Sequence, residues 1–142
     1  MRKIGILLAL LYLAVGCAAI PPPGTPHEVA YVERVMKQSV NFSLANDVAI
    51  EAWSRAHDFT ARYASKKLQI VSDYAIETYN PTKTKVEFGY SITRVIGGSE
   101  STFAVRCFCG NSYHRRTADR NAHILADYMV TGELPFPHLV RR

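Results

Sequence analysis

The sequence predicts a small α+β domain in which a helix, a three-stranded antiparallel sheet and a final helix follow a proline-rich amino-terminal tether. Three observations predict this class. Apolar residues recur at helical spacing on both sides of the middle of the chain, and in the middle they alternate with polar residues as in half-buried strands. Turn-forming residues separate the alternating runs. One sheet with helices on one face buries all of these apolar surfaces together.

The amino terminus has the three zones of an export signal. Arg2 and Lys3 supply positive charge, residues 4–15 are almost wholly apolar, and small residues lead to Cys17. The apolar run is shorter than the roughly 20 residues that a permanent membrane span needs. Residues 1–16 are therefore predicted to be a cleaved signal peptide.

Cys17 closes the apolar run, with Gly16 before it and Ala18 and Ala19 after it. This segment resembles the lipobox of bacterial lipoproteins, and the resemblance covers residues 1–17. It implies that the Cys17 sulfur receives a diacylglycerol, that cleavage precedes Cys17, and that the new amine is acylated. Because Ala18 rather than Asp follows the cysteine, it also implies delivery to the periplasmic face of the outer membrane. An ordinary signal peptide cut near Ala18 or Ala19 is the alternative.

Residues 17–26 form the predicted tether, and residues 27–142 the predicted domain. The run Pro21–Gly24 cannot continue a regular helix or strand and reads as a semi-rigid spacer. Thr25 and Glu28 have the spacing of a capping box, and they predict a first helix that ends near Gln38. Its apolar positions are Val29, Val32, Val35 and Met36.

A second helix is predicted from a cap at Ser43 or Asn46 to about Ser65, because one stripe of its surface is apolar. The stripe contains Ala49, Ala52, Trp53, Ala56, Phe59 and Tyr63.

A last helix is predicted from Arg116 to Thr131, with Gly132 as its stop signal. The tail that follows contains two prolines and should be extended, but Leu134, Phe136, Leu139 and Val140 indicate that it packs along the domain.

Three alternating runs predict the strands: Leu68 to Tyr79, Lys85 to Ile96, and Ser101 to Cys109. Asn80–Lys83 is the first predicted turn, and Gly97–Ser99 is the second. The first strand should place Ile70, Tyr74 and Ile76 on one face. The second should group Val86, Phe88, Tyr90, Ile92 and Ile96, and the third Phe103, Val105, Cys107 and Cys109.

Cys107 and Cys109, with His114 and His123 downstream, could supply ligands for zinc or copper. The spacing is a weak signal, because structural zinc sites usually show two tight pairs. The favoured interpretation is that both cysteines are small apolar residues on the buried face of the sheet. A disulfide between them would be strained, since strand residues two apart point the same way. No cofactor is expected.

A thiol nucleophile assembled from Cys109, His114 and Asp119 is a further alternative. Nothing in the sequence fixes a base beside the thiol, so no enzyme is expected.

Arg115, Arg116 and Arg120 form a basic cluster that could bind an anion or could simply be solvated. His123 lies four residues from both Asp119 and Asp127, which allows a charged line on one helix face. The aromatic residues Trp53, Tyr74, Tyr79, Tyr90, Tyr113 and Tyr128 could line a groove but are expected to fill the core and its margin.

The formal net charge is +5, and two of the positive charges lie in the signal peptide at Arg2 and Lys3. This mild charge and the exported address make nucleic acid an unexpected partner. The expected function is that of a lipid-anchored envelope lipoprotein, a non-enzymatic structural or accessory component of a membrane-associated assembly. Its expected partners are the membrane, through the lipid, and an envelope protein. A small-ligand or metal-binding periplasmic lipoprotein that uses the Cys107/Cys109 face is the alternative.

Overall fold

The computed structural model describes residues 24–140, which form three α-helices and five strands. In chain order these are α1 (Pro26–Val35), β1 (Asn41–Ala45), α2 (Asn46–Tyr63), β2 (Leu68–Val71), β3 (Ala75–Thr78), β4 (Phe88–Ile96), β5 (Glu100–Cys109) and α3 (Arg115–Thr131). Short 3-10 turns at Ser112–His114 and Pro137–Leu139 flank α3. The predicted signal peptide, Cys17 and the tether up to Pro23 lie outside the described residues.

The five strands form one antiparallel sheet in the order β1-β5-β4-β3-β2. The α+β class is confirmed, but the prediction of three strands is wrong in two places. The segment Asn41–Ala45 is an additional edge strand that pairs with β5, with Asn41 opposite Ala104. The predicted strand Leu68–Tyr79 is two strands, because the chain turns back between Val71 and Ala75.

Ser72 makes the turn that divides this segment. Its hydroxyl accepts hydrogen bonds from the backbone N–H groups of Tyr74 and Ala75, at 3.3 and 3.0 Å. Such a side-chain turn competes with a continuous strand. A register shift in β2 then places Ile70 opposite Glu77, so Ile70 does not share a face with Ile76 as predicted.

The first helix begins as predicted, with both hydrogen bonds of the capping box between Thr25 and Glu28. It ends at Val35 rather than near Gln38, because Val35 is its last buried position and the next residues form a turn. The second helix has Ala45 as its N-cap, with no side-chain hydrogen bond, so neither Ser43 nor Asn46 caps it. Gly132 stops α3 with φ at +75°, as predicted.

The helices cover one face of the sheet, and the core lies between the two layers. The tail packs on this core as predicted: Leu139 and Val140 are buried, and the Phe136 ring meets the Tyr31 ring edge-on at 5.4 Å. The tail is not wholly extended, since Pro137–Leu139 forms a 3-10 turn. The largest fully buried side chains are Phe59, Ile76, Phe88, Tyr90, Ile92, Phe103, Ile124, Leu125 and Met129.

The expectation that the aromatic residues fill the core holds for only part of the set. Tyr90 is fully buried, and Trp53 and Tyr128 are partly buried against the core. Tyr74, Tyr79 and Tyr113 are instead exposed, because they lie in turns rather than on the inward face of a strand. Val86 and Ile96, predicted to face inward, are also exposed: Val86 precedes β4, which begins only at Phe88, and Ile96 is the last residue of β4, beside the hairpin turn.

Candidate functional site

A half-open pocket of about 410 Å³ lies where β5 ends and α3 begins. Its volume is within the range of small-molecule sites. The strand contributes the two thiols, the connecting loop contributes Asn111, and the first turns of α3 contribute the rest. The residues that define its chemistry are Cys107, Cys109, Asn111, Arg115, Ala118 and Asp119.

Both cysteines are free thiols and stand on the helix-facing side of the sheet, opposite Tyr90 and Phe88 respectively. Burial raises the pKa of the Cys107 thiol to about 12. Its neighbours include the fully buried side chains of Tyr90 and Asn121. Cys107 therefore stays protonated at neutral pH and contributes an uncharged wall.

The structure brings together only part of the proposed thiol site. Cys109 and Asp119 line the same pocket, but His114 is not among its lining residues. His114 lies in the 3-10 turn before α3, and within residues 24–140 its Nδ1 atom is buried without a hydrogen-bond partner.

The candidate metal ligands Cys107, Cys109 and His114 are not gathered around a common point. In the part of the chain that the structure describes, no three His, Cys, Asp or Glu side chains are grouped so that they could hold a metal ion. His123 stands on α3, where its ring lies 3.9 Å from Asp119.

The three residues of the predicted charged line on α3, Asp119, His123 and Asp127, do not interact as one group. Asp127 is buried and accepts two hydrogen bonds from the Arg34 guanidinium, at 2.8 and 3.0 Å, so it joins α3 to α1. This carboxylate raises the pKa of Arg34.

The three arginines of the predicted basic cluster lie in different surroundings. Arg120 donates a hydrogen bond to the Leu139 carbonyl at 2.9 Å, Arg115 lines the pocket, and Arg116 is exposed.

A second candidate site is an apolar surface at the end of the domain where the β4–β5 hairpin turns. Three hydrogen bonds bring its parts together: Asn46 donates to the Gly97 carbonyl, Trp53 to the Ser72 carbonyl, and the Arg94 N–H to the Tyr74 carbonyl. We call this the hairpin-end surface. Its exposed members are Ile50, Val71, Tyr74, Val95 and Ile96, of which Val95 lies on the sheet face opposite the helices.

A hydrogen-bonded chain fixes the hairpin-end surface from below. The Ser101 hydroxyl donates to the Asn46 side chain at 2.8 Å and accepts from the Arg94 guanidinium at 3.2 Å. The same guanidinium lies over the Phe103 ring, 5.9 Å from its centre. The start of α2 and the β4–β5 hairpin are thus held in one arrangement.

The sequence predicts the two thiols of the pocket as candidate site residues, but it does not predict the hairpin-end surface. Tyr74 and Ile96 were expected on the apolar faces of their strands, and their exposure, at the turn before β3 and at the end of β4, is seen only in the folded arrangement. No helix within residues 24–140 has the length and apolar character needed to cross a membrane. The chain matches no protein-family model, no curated protein and no solved structure.

Proposed function

We propose that this chain is a lipid-anchored envelope lipoprotein that acts without catalysis, as an accessory component of a membrane-associated assembly. In this proposal Cys17 carries the lipid at the periplasmic face of the outer membrane. The folded domain binds an envelope protein through the hairpin-end surface. The lipobox resemblance supports the anchor, and the structure of the domain supports the binding surface.

The observation that carries the proposal is the exposure of the hairpin-end surface. Ile50 is 67% exposed and Val95 is 68% exposed, and Tyr74 lies with them at the same end. Single exposed apolar residues are ordinary, but a group of them on a soluble domain marks an interaction site. Tyrosine is also a residue type that commonly anchors protein interfaces. The rigid hydrogen bonds beneath the surface reduce the ordering that binding requires.

Site-specific photocrosslinking in intact cells tests this proposal. A photoreactive amino acid placed at Ile50 or Val95 of the full-length chain should give one discrete protein adduct. The same amino acid at Glu33 on α1 or Arg106 on the open sheet face should not, since both positions are exposed and lie outside the hairpin-end surface.

A charge variant completes the test. Tyr74→Asp should abolish the adduct formed from Val95, because an unpaired carboxylate opposes the burial of an apolar interface. Val29→Asp is the matched control, because Val29 is an exposed apolar residue on α1 outside this surface, and it should leave the adduct unchanged. Equal adducts from all four photoreactive positions, or adducts with lipid alone, would contradict a protein partner at this surface.

A second candidate function is small-ligand binding in the pocket beside Cys109. The specific observation in its favour is the pocket itself, which combines polar groups with an uncharged thiol wall. A compound that occupies it should slow the alkylation of Cys109 by a maleimide, with the labelled peptide identified by mass spectrometry. Cys107 lines the same pocket, but its raised pKa keeps it protonated, so little labelling is expected there. If no compound in a metabolite library slows the labelling, this second function is wrong.

A further inference from the structure

The charges at the rim of the pocket have opposite signs. Arg115 and Asp119 lie one turn apart on α3, and both line the pocket. Residues at this spacing are neighbours on a helix surface. Yet no ion pair within residues 24–140 joins them, and the only ion-pair partner of Asp119 is the His123 ring at 3.9 Å. The rim therefore presents a cation and an anion side by side, and each is available to a ligand.

The position of these charges on the helix favours a particular ligand polarity. The first turn of an α-helix carries partial positive charge, and Arg115 adds to it, so this part of the pocket attracts a carboxylate. Asp119 lies one turn further along and attracts an ammonium group. A polyanion such as phosphate would be repelled by Asp119, and a simple cation would be repelled by Arg115 and the helix terminus.

The rest of the pocket is uncharged. Cys107, Cys109 and Ala118 supply thiols and a methyl group, and Asn111 is held in place because its side-chain oxygen accepts a hydrogen bond from the Tyr113 N–H at 2.9 Å. Such walls suit small aliphatic side groups. A volume of about 410 Å³ is at the smaller end of the range for ligand sites, and it leaves room for more than one small residue.

We infer that this pocket binds a small zwitterion, an amino acid or short peptide, with its carboxylate against Arg115 and its ammonium group against Asp119. The inference rests on the second candidate function above and names its ligand class. It is independent of the hairpin-end surface, so a protein partner at that surface neither requires nor excludes it.

Equilibrium dialysis of the full-length chain in detergent, with radiolabelled dialanine as the probe, tests the inference. Saturable binding is expected. Blocking either charged end of the dipeptide should weaken binding about tenfold or more, because each block removes a charge-assisted hydrogen bond. N-acetyl-dialanine and dialanine amide are the two blocked forms. Inorganic phosphate should not compete.

Two variants assign the ends of the ligand. Arg115→Gln should weaken dialanine binding about tenfold and remove the advantage of the free carboxylate, while Asp119→Asn should do the same for the free amine. Arg116→Gln is the matched control, since Arg116 is exposed, adjacent and outside the pocket. Unchanged circular dichroism spectra will show that the variants fold.

Three results would overturn the inference: no saturable binding of dialanine, equal binding to all three variants, or displacement by phosphate. If library compounds protect Cys109 from alkylation while dialanine does not bind, the zwitterion inference fails and the second candidate function stands. If nothing protects Cys109, both fail. The crosslinking result at Ile50 and Val95 is unaffected in either case.

Discussion

At the scale of single residues, the pair formed by Arg34 and Asp127 has two unequal members. The Asp127 side chain is 1% exposed, whereas the Arg34 side chain is 50% exposed. Loss of the arginine leaves a buried carboxylate without its cation, while loss of the carboxylate lets the arginine return to water. The two halves of one ion pair should therefore differ in how much their removal destabilises the fold.

We predict that Arg34→Gln lowers the free energy of unfolding by about 2–3 kcal/mol, and that Asp127→Asn lowers it by only about 1 kcal/mol. Urea denaturation of the full-length chain measures both. Glu51→Gln is the control: it breaks an exposed pair with Arg55 on α2 and should cost less than about 0.5 kcal/mol. Equal losses for Arg34→Gln and Asp127→Asn would show that burial does not govern this pair.

The thiols illustrate what sequence reasoning can and cannot supply at this scale. Alternation along β5 correctly placed Cys107 and Cys109 on the same face, because side chains of a strand repeat every two residues. It could not show that Arg115 and Asp119 lie around the same recess, since that depends on the path of the loop between β5 and α3. The sequence therefore grouped Cys109 with His114 and Asp119, whereas the pocket gathers Cys107, Cys109, Arg115 and Asp119 and leaves His114 out.

At the scale of elements, the loop between β3 and β4 is held by one carboxylate. Glu87 accepts hydrogen bonds from the Lys66 ammonium group at 2.8 Å and from the Thr82 N–H and hydroxyl at 3.0 and 2.8 Å. The Lys66 and Thr82 groups lower the pKa of Glu87 from its ordinary value of 4.5 to about 2. The loop is thus tied to the chain segment between α2 and β2.

This depressed pKa predicts a specific dependence of stability on pH. The stabilisation from Glu87 is fully present above about pH 4.5, where the carboxyl is ionised in both the folded and unfolded chains, and it is lost as the pH falls toward about 2. The wild-type chain should therefore unfold at a higher temperature than Glu87→Gln near neutral pH. The difference should shrink across this acidic window. Glu100→Gln, an exposed control, should show no such trend.

The end of α3 makes a second prediction at this scale. Gly132 has φ at +75°, and a Cβ atom there would come within 2.9 Å of the Arg55 guanidinium. Gly132→Ala should therefore lower the free energy of unfolding by about 1–2 kcal/mol. Gly98→Ala is the matched control: no atom lies within 4 Å of its added Cβ, so its effect on the urea midpoint should be small. A larger loss for Gly98→Ala would contradict the assigned role of the left-handed conformation.

Long, strongly periodic elements were predictable, and short ones were not. The helices α2 and α3 were found within two residues at either end, because each carries an apolar stripe over several turns. The strand β1 is only five residues long, and it pairs with β5, which lies some sixty residues later in the chain. A local sequence pattern gives no indication of such a long-range pairing. The turn at Ser72 contains neither glycine nor proline, so the sequence pattern of the two strands that it separates resembles that of one long strand.

At the scale of the whole molecule, the proposed attachment to a membrane depends on Cys17, which precedes the described residues. Because one acyl chain alone holds a protein only marginally, the additional chains of the processed cysteine would make the attachment firm. Cys17→Ser should move the protein from the membrane fraction to the soluble fraction. Globomycin, which blocks lipoprotein signal cleavage, should cause a lipid-labelled precursor to accumulate. Membrane attachment that survives Cys17→Ser would contradict the lipoprotein assignment.

The contact between Glu28 and His138 has a consequence for chain connectivity. These side chains meet at 2.7 Å, so the start of α1 lies beside the last buried segment of the tail. A short flexible linker could therefore join the two ends of the described domain, and the chain could be reopened at the exposed Gly97–Gly98 turn. Proteins whose ends lie close together generally tolerate such circular permutation. A permuted domain would keep the pocket between β5 and α3 intact and would place its new ends within the hairpin-end surface. Permutation would thus alter one candidate site and leave the other unchanged.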